Sequence, residues 1–473
     1  MPVVHSPLVT SILAAIANNQ PLVLPPGKHA TDKHSRATIA VPATGLQILS
    51  DPTLPRPIIQ RPNNGLDGDD QCGLHFVPDH PTQPEIDAAQ WKVGVIGERL
   101  KDFKNGPEFT PPVDAFEYEI LVRGDITIQD VDIDCNMQNQ PLNQQKPGSP
   151  WEHSAMLRFH GIRYDSQPVP GLDFGTSPRG LPRRMFVAFR SVTIQRLDSS
   201  HGDVADDIFI SRSNFHPNIQ QVTLDHIRSF ELPNRKRATI GFDDLAANIS
   251  ISDCDLFSLH FEDDVPWDTV PRQTPDFQKA SVQLTNIRTQ LLDLAAKGFV
   301  LDVDGQGLEI TRNLSGGQAS GSIRSSKIFK DQIALLRMDM EFTDVEWGFP
   351  VILGQVHGLK MMPVNGEPCR AVFTRNTFTA AGQLPTNASG VLIAGEFEAP
   401  LQHVSGQQVF LSFRSCQFDP RMGSLPNTFI AQPTTRGTWT FDQDDLHGLR
   451  LERVFLFPNH DIQGLKQVLL MVF

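Results

Sequence analysis

The stretches "VTIQRLDS" (192–199), "VTLDHIRS" (222–229) and "ISISDCDL" (249–256) decide the fold. In each, apolar residues take positions 1, 3 and 6. The 1–3 alternation is the two-residue period of a strand. The break before position 6 predicts a bend between two short strands. The same phrase recurs as "ITIQDVDI" at 126, "VQLTNIRT" at 282, "AVFTRNTF" at 371, "LSFRSCQF" at 411 and "LRLERVFL" at 449. The starts at 192, 222, 249 and 282 lie 30, 27 and 33 residues apart. That spacing suits one turn of a solenoid with loops. The gap from 126 to 192 reads as about two turns plus the insertion "NQPLNQQKPGSPWEHS". A β-sandwich also has many short strands, but hairpin signals such as Asn-Gly between paired strands are scarce, and turn-length periodicity is foreign to it.

The chain begins with a different signal. Leu8, Ile12, Ala15 and Ile16 fall at helical spacing. Asn18 and Asn19 end that helix, Leu22 to Leu24 make a short strand, and Pro25, Pro26 and Gly27 force a turn. A solenoid needs such a cap, because its first turn otherwise exposes an unpaired edge and its core. This helix, strand and "LPPGKH" order resembles the opening of right-handed parallel β-helix proteins of the pectate-lyase-like group. The resemblance implies an all-β right-handed parallel β-helix. On that reading residues 1–473 form one domain, with a cap helix and first strand over 1–28. Loop-rich early turns follow over 51–118, central turns with the site over 120–300, and C-terminal turns over 301–473.

The bulk composition narrows function. The 473 residues carry a net charge of −13, so the basic footprint of a nucleic-acid binder is absent. The same acidity disfavours anionic membranes as partners. The N-terminus lacks the Lys/Arg region of a signal peptide, and no apolar run reaches membrane-spanning length. The chain as given is therefore expected in the cytoplasm, or outside the cell in a particle or after loss of a leader. The five cysteines (72, 135, 254, 369 and 416) form no CxxC pair, and those at 135, 254 and 416 sit in strand-like runs as buried free thiols. "LDGDDQ" places Asp67, Asp69 and Asp70 together but lacks a full calcium-loop pattern, and reads as an acidic turn.

Stacked strands bring residues one turn apart in sequence to within about 4.8 Å. A site then appears as polar residues recurring once per turn. Counting from the phrase starts, Asp206 and Asp207, Lys236 and Arg237, and Asp263 and Asp264 share one offset, with Lys297 following. Aligning the strands "IFI" (208), "IGF" (240) and "LHF" (259) instead puts His260 and Glu262 on the solvent side. The two alignments leave open which carboxylate faces the groove.

Many β-helix glycan-active proteins carry three successive turns reading like "DGIYI", "RRQGISV" and "GIDIEP". Here "DDIFI", "KRATIGF" and "SLHFED" resemble them. Asp206 matches the first Asp, Lys236 and Arg237 match the arginines, and Glu262 matches the Glu. His260 stands where that pattern has Asp, and Ala238 where it has Gln. The resemblance covers roughly 120–300 and implies a poly- or oligosaccharide partner.

Glycosidic cleavage needs one protonated carboxyl and one ionised carboxylate. A basic pair between acid clusters separates their pKa values. The expected catalytic groups are Asp206, Asp207, Glu262 and Asp263. Lys236, Arg237, His260, Asp203, His201 and His153 are the expected substrate-binding groups, with Trp151 and Trp267 stacking on sugar rings. This reading, a hydrolase or transglycosidase, needs no cofactor and assigns no metal ligand. Two alternatives stand beside it. A lyase or uronate epimerase uses Lys, Arg or His as base, with calcium held by the acids. A fibre-like virion or adhesive protein binds glycan only. A homotrimer is compatible with all three.

Overall fold

The computed structural model describes residues 5–32, 38–62, 73–95, 115–134, 136, 155–165, 171–199, 207–211, 219–229, 239–242, 246–261, 279–294, 300–316, 319–329, 333–336, 338–352, 355–362, 369–381, 389–395, 408–418, 429–431, 436–442 and 460–463. They are mostly strand, paired mainly in parallel. The chain divides into two compact units, 1–100 with 109–280, and 101–108 with 281–473.

In the first unit the helix Pro7–Asn18 is capped by Ser6, whose Oγ accepts from Val9 N at 3.2 Å. Asn19 closes it in the left-handed region at φ 52°. Leu8, Val9, Ile12 and Ala15 are buried, so Val9 joins the apolar face and Ile16 lies only half-buried at its margin.

The recurring phrase is the register mark of the ladder behind this cap. Strand Leu46–Ser50 pairs with Ala115–Gln129, and that strand with Arg183–Asp198. Ile219–Arg228 and Ala246–Ser252 follow. Leu46, Ile126, Val192, Val222 and Ile249 stand opposite one another, as do Ile48, Ile128, Ile194, Leu224 and Ile251. All ten are buried. Position 6 (Val131, Leu197, Ile227 and Cys254) is buried as well. The predicted bend is a single residue at position 5: Asp130, Arg196, His226 and Asp253 have φ between 51° and 57°. A lone left-handed residue reverses side-chain alternation, which lets positions 3 and 6 both face inward.

The 66 residues from Ile126 to Val192 make one step of the ladder, not the two expected from sequence, because the two strands pair directly. Part of the extra length widens the same sheet, together with the segment 92–95 from before Ile126. Lys92–Val95 and Ile162–Asp165 add antiparallel strands to the outer halves of Ala115–Gln129 and Arg183–Asp198. One apolar cluster there holds Ile86, Tyr164, Phe174, Met185 and Val187, and another holds Phe116, Tyr118 and Phe186. Glu117 accepts from Arg183 Nε at 2.9 Å, and Arg183 also lies 4.9 Å over the Trp91 ring. The segment 51–118, read as loops, contains the strands Pro57–Gln60 and Leu74–Pro78 and the short helix Gln83–Asp87 as well.

The second unit repeats the same corner. Val303, Gly321, Met340, Ala371 and Leu411 stand in register, as do Gly305, Ile323, Phe342, Phe373 and Phe413. Asn286, Gly307, Ser325, Asp344, Arg375 and Ser415 have φ between 48° and 66°. The backbone stays paired through each corner: Ser325 N donates to Thr343 O at 3.0 Å, and Asp344 N to Thr374 O at 3.0 Å. Leu411 next pairs with Trp439, and "LRLERVFL" at 449 lies outside the described residues. Phe342, Phe373 and Phe413 stack face to face at 5.3 and 5.1 Å, and Trp347 lies over Phe378 at 6.2 Å. Trp347 Nε1 donates to Asn376 Oδ1 at 3.0 Å, and Asn376 Nδ2 donates to Phe342 O at 2.7 Å.

Candidate functional site

A second parallel ladder in the first unit carries the candidate site. Its order is Thr38–Val41, Leu74–Pro78, Ala155–Phe159, Asp207–Ser211, Thr239–Phe242 and Asp255–Phe261. Strands from "DDIFI", "KRATIGF" and "SLHFED" are therefore direct neighbours. Pairing sets Phe209 opposite Ile240 and Ile240 opposite Leu259. Those steps are 31 and 19 residues, whereas counting from the phrase starts gives 30 and 27. Aligning "IFI" from Ile208 misses by one residue. Connections between corner and strand differ in length, so a fixed offset cannot hold, and a slip of one residue exchanges the two faces.

Inward residues define the face by elimination. Leu74, Leu157, Ile240 and Leu259 are buried in one register row, and Phe76, Phe159, Phe242 and Phe261 in another. Phe242 and Phe261 stack at 5.0 Å. The register row between them runs His75, Arg158, Ile210, Gly241 and His260, and alternation turns the side chains of His75, Arg158 and His260 away from the core. Arg158 is only 6% exposed, and His75 and His260 are half-buried. His160 follows the Ala155–Phe159 strand and stacks on His75 with ring centroids 5.7 Å apart. Gly241 brings no side chain beside His260. Three strand steps separate His260 from Arg158, roughly 14 Å. The face thus offers two imidazoles beside a guanidinium at one end and a third imidazole three steps away.

Beyond His75 the chain reaches Asp79 and His80. The Tyr164 hydroxyl lies 2.7 Å from His80 Nδ1. Burial pushes the Tyr164 phenol up to about 12, with the charge of Asp79 adding and that of Arg123 opposing. The phenol therefore keeps its proton throughout the physiological range. Arg123 in turn is ion-paired with Glu85.

Of the residues expected from sequence, Asp207 begins its strand opposite Ala155, and His260 lies on the outward row opposite Gly241. Asp203, Asp206, His201, Lys236, Arg237, Glu262, Asp263, His153, Trp151 and Trp267 lie outside the described residues, as do Asp67, Asp69 and Asp70. Sequence reading passed over His75, Arg158 and His160. One signal for them was present: "LHF" occurs at 74–76 and again at 259–261, in the same three register rows.

Among the described residues, no helix is long and apolar enough to cross a membrane. Compared with family models, curated protein sequences and solved structures, the chain matches none of them.

Proposed function

We infer that this is a right-handed parallel β-helix protein that binds a poly- or oligosaccharide along the outward row of its second ladder and cleaves it there. The observation that carries the reading is the direct pairing of the strands Asp207–Ser211, Thr239–Phe242 and Asp255–Phe261. In sequence, Asp206 immediately precedes the first, Lys236 and Arg237 precede the second, and Glu262 and Asp263 follow the third. On this reading a protonated carboxyl serves the leaving oxygen and an ionised one serves as base or nucleophile. His260 and Arg158 orient sugar hydroxyls and ring oxygens.

The test is incubation with a panel of neutral and acidic glycans, products read by mass. Gain of water marks hydrolysis. Glu262→Gln and Asp206→Asn should each reduce turnover at least about a hundredfold, with the circular dichroism spectrum unchanged. Full activity in both variants would sink the carboxylate mechanism.

A second reading is favoured by His75, Arg158 and His260 on the outward row, with His160 stacked on His75, which suit proton abstraction beside a sugar carboxylate. Elimination would then give an unsaturated, ultraviolet-absorbing product, with His260→Ala the damaging variant. Binding with no product formed over long incubation, and no epimerised sugar at unchanged mass, would instead favour a glycan-binding fibre.

A further inference from the structure

We propose that Asp225, His226 and Asp253 form a binding site for a divalent first-row transition ion, with Zn2+ as the fitting probe. The site is independent of the glycan-binding row. Each residue presents one donor atom, and the three atoms all lie within 4.8 Å of one another. Asp225 Oδ1 and His226 Nδ1 are 2.9 Å apart. Ligand bonds of about 2.0–2.2 Å put donors roughly 3.3 Å from each other around such an ion. Donors within 4.8 Å of one another are therefore within about 1.5 Å of that spacing.

The backbone fixes this meeting. Asp225 stands opposite Ser252 in adjacent parallel strands, and His226 and Asp253 are the next residues along. Both are corner residues, with φ of 53° and 51°. The corner turns their side chains to the same side one step apart. Ser252 Oγ donates to Asp225 Oδ1 at 2.8 Å and orients that carboxylate, as outer-sphere partners of metal ligands do.

Other corners show that a cationic group settles against carboxylates placed this way. At two other steps a corner carboxylate meets a corner arginine in a doubly bonded pair. Arg196 donates to both oxygens of Asp130 at 2.6 and 2.8 Å, and Arg375 to both of Asp344 at 2.7 Å. At the step from His226 to Asp253 an imidazole occupies the arginine's place, with a second carboxylate beside it. Arg196, on the preceding corner, also acts electrostatically on Asp225 while bonded to Asp130. Nitrogen with oxygen donors suits zinc and its neighbours, whereas calcium and magnesium favour all-oxygen shells. His226 is 54% exposed, so water can complete the shell.

The experiment is calorimetric titration of the full chain with Zn2+, beside His226→Asn and Asp253→Asn. Asparagine tolerates the left-handed corner and removes the imidazole or the charge. The wild type should bind one equivalent more than His226→Asn, or bind it at least tenfold more tightly. Co2+ should give a visible absorption band that this variant loses. Asp253→Asn supplies the same comparison if His226→Asn fails to fold. Equal stoichiometry and affinity in wild type and folded variants would overturn the proposal. Mg2+ or Ca2+ binding as strong as Zn2+ at these residues would overturn it too.

Discussion

Gly321 shows how little freedom a corner ladder leaves. Its φ is 120°, and a Cβ there would lie 2.0 Å from Val303 O. Gly321→Ala should cost at least about 2 kcal/mol, read as a lower urea midpoint. Asn376 is equally constrained, fully buried and bonded to Trp347 and two backbone carbonyls. Asn376→Ala leaves three polar groups without it, and about 2–4 kcal/mol of stability should go in the same assay. Hydrogen bonds from Arg196 hold the Asp130 carboxyl below its usual range. A depressed folded-state value stabilises the fold above the ordinary carboxylate pKa. That contribution fades as pH falls through the ordinary value to the folded one. Wild type and Asp130→Asn should therefore differ in urea midpoint at neutral pH and converge in acid. Burial pushes the Cys254 thiol up to about 12, so it should resist alkylation until the chain unfolds.

At the scale of elements, the aromatic column of Phe342, Phe373 and Phe413 acts as a unit. Removing its middle ring with Phe373→Ala should cost about 3–5 kcal/mol, checked by denaturation with circular dichroism. How far such elements were legible depended on what sat at the inward positions. The phrases at 126, 192, 222 and 249 carry apolar residues at positions 1 and 3, and their register follows from the sequence. "MEFTDVEW" at 340 obeys the same pattern and was open to reading. "VDGQGLEI" at 303 and "GSIRSSKI" at 321 were not, because Gly305, Gly321 and Ser326 occupy inward places. The candidate site was legible only as far as adjacency. Which strands neighbour each other followed from the phrase order, whereas the facing row depended on a register that varying connections shift. His75 and Arg158 come from strands that the repeat does not mark.

For the whole molecule, stacking of near-equivalent steps within each unit predicts that unfolding departs from a single two-state transition, because long repeat arrays lose cooperativity. Scanning calorimetry should give a calorimetric enthalpy unequal to the van't Hoff value. The single-residue corner has a consequence for how such a chain tolerates change. From one corner to the next the polypeptide travels 18 residues between Gly307 and Ser325, and 66 between Asp130 and Arg196. The inward positions return to register either way. Distance along the chain is thus uncoupled from height along the stack. Whole segments can be gained, lost or exchanged between corners while everything above and below keeps its place. New binding chemistry can arrive as inserted length without the scaffold being rebuilt.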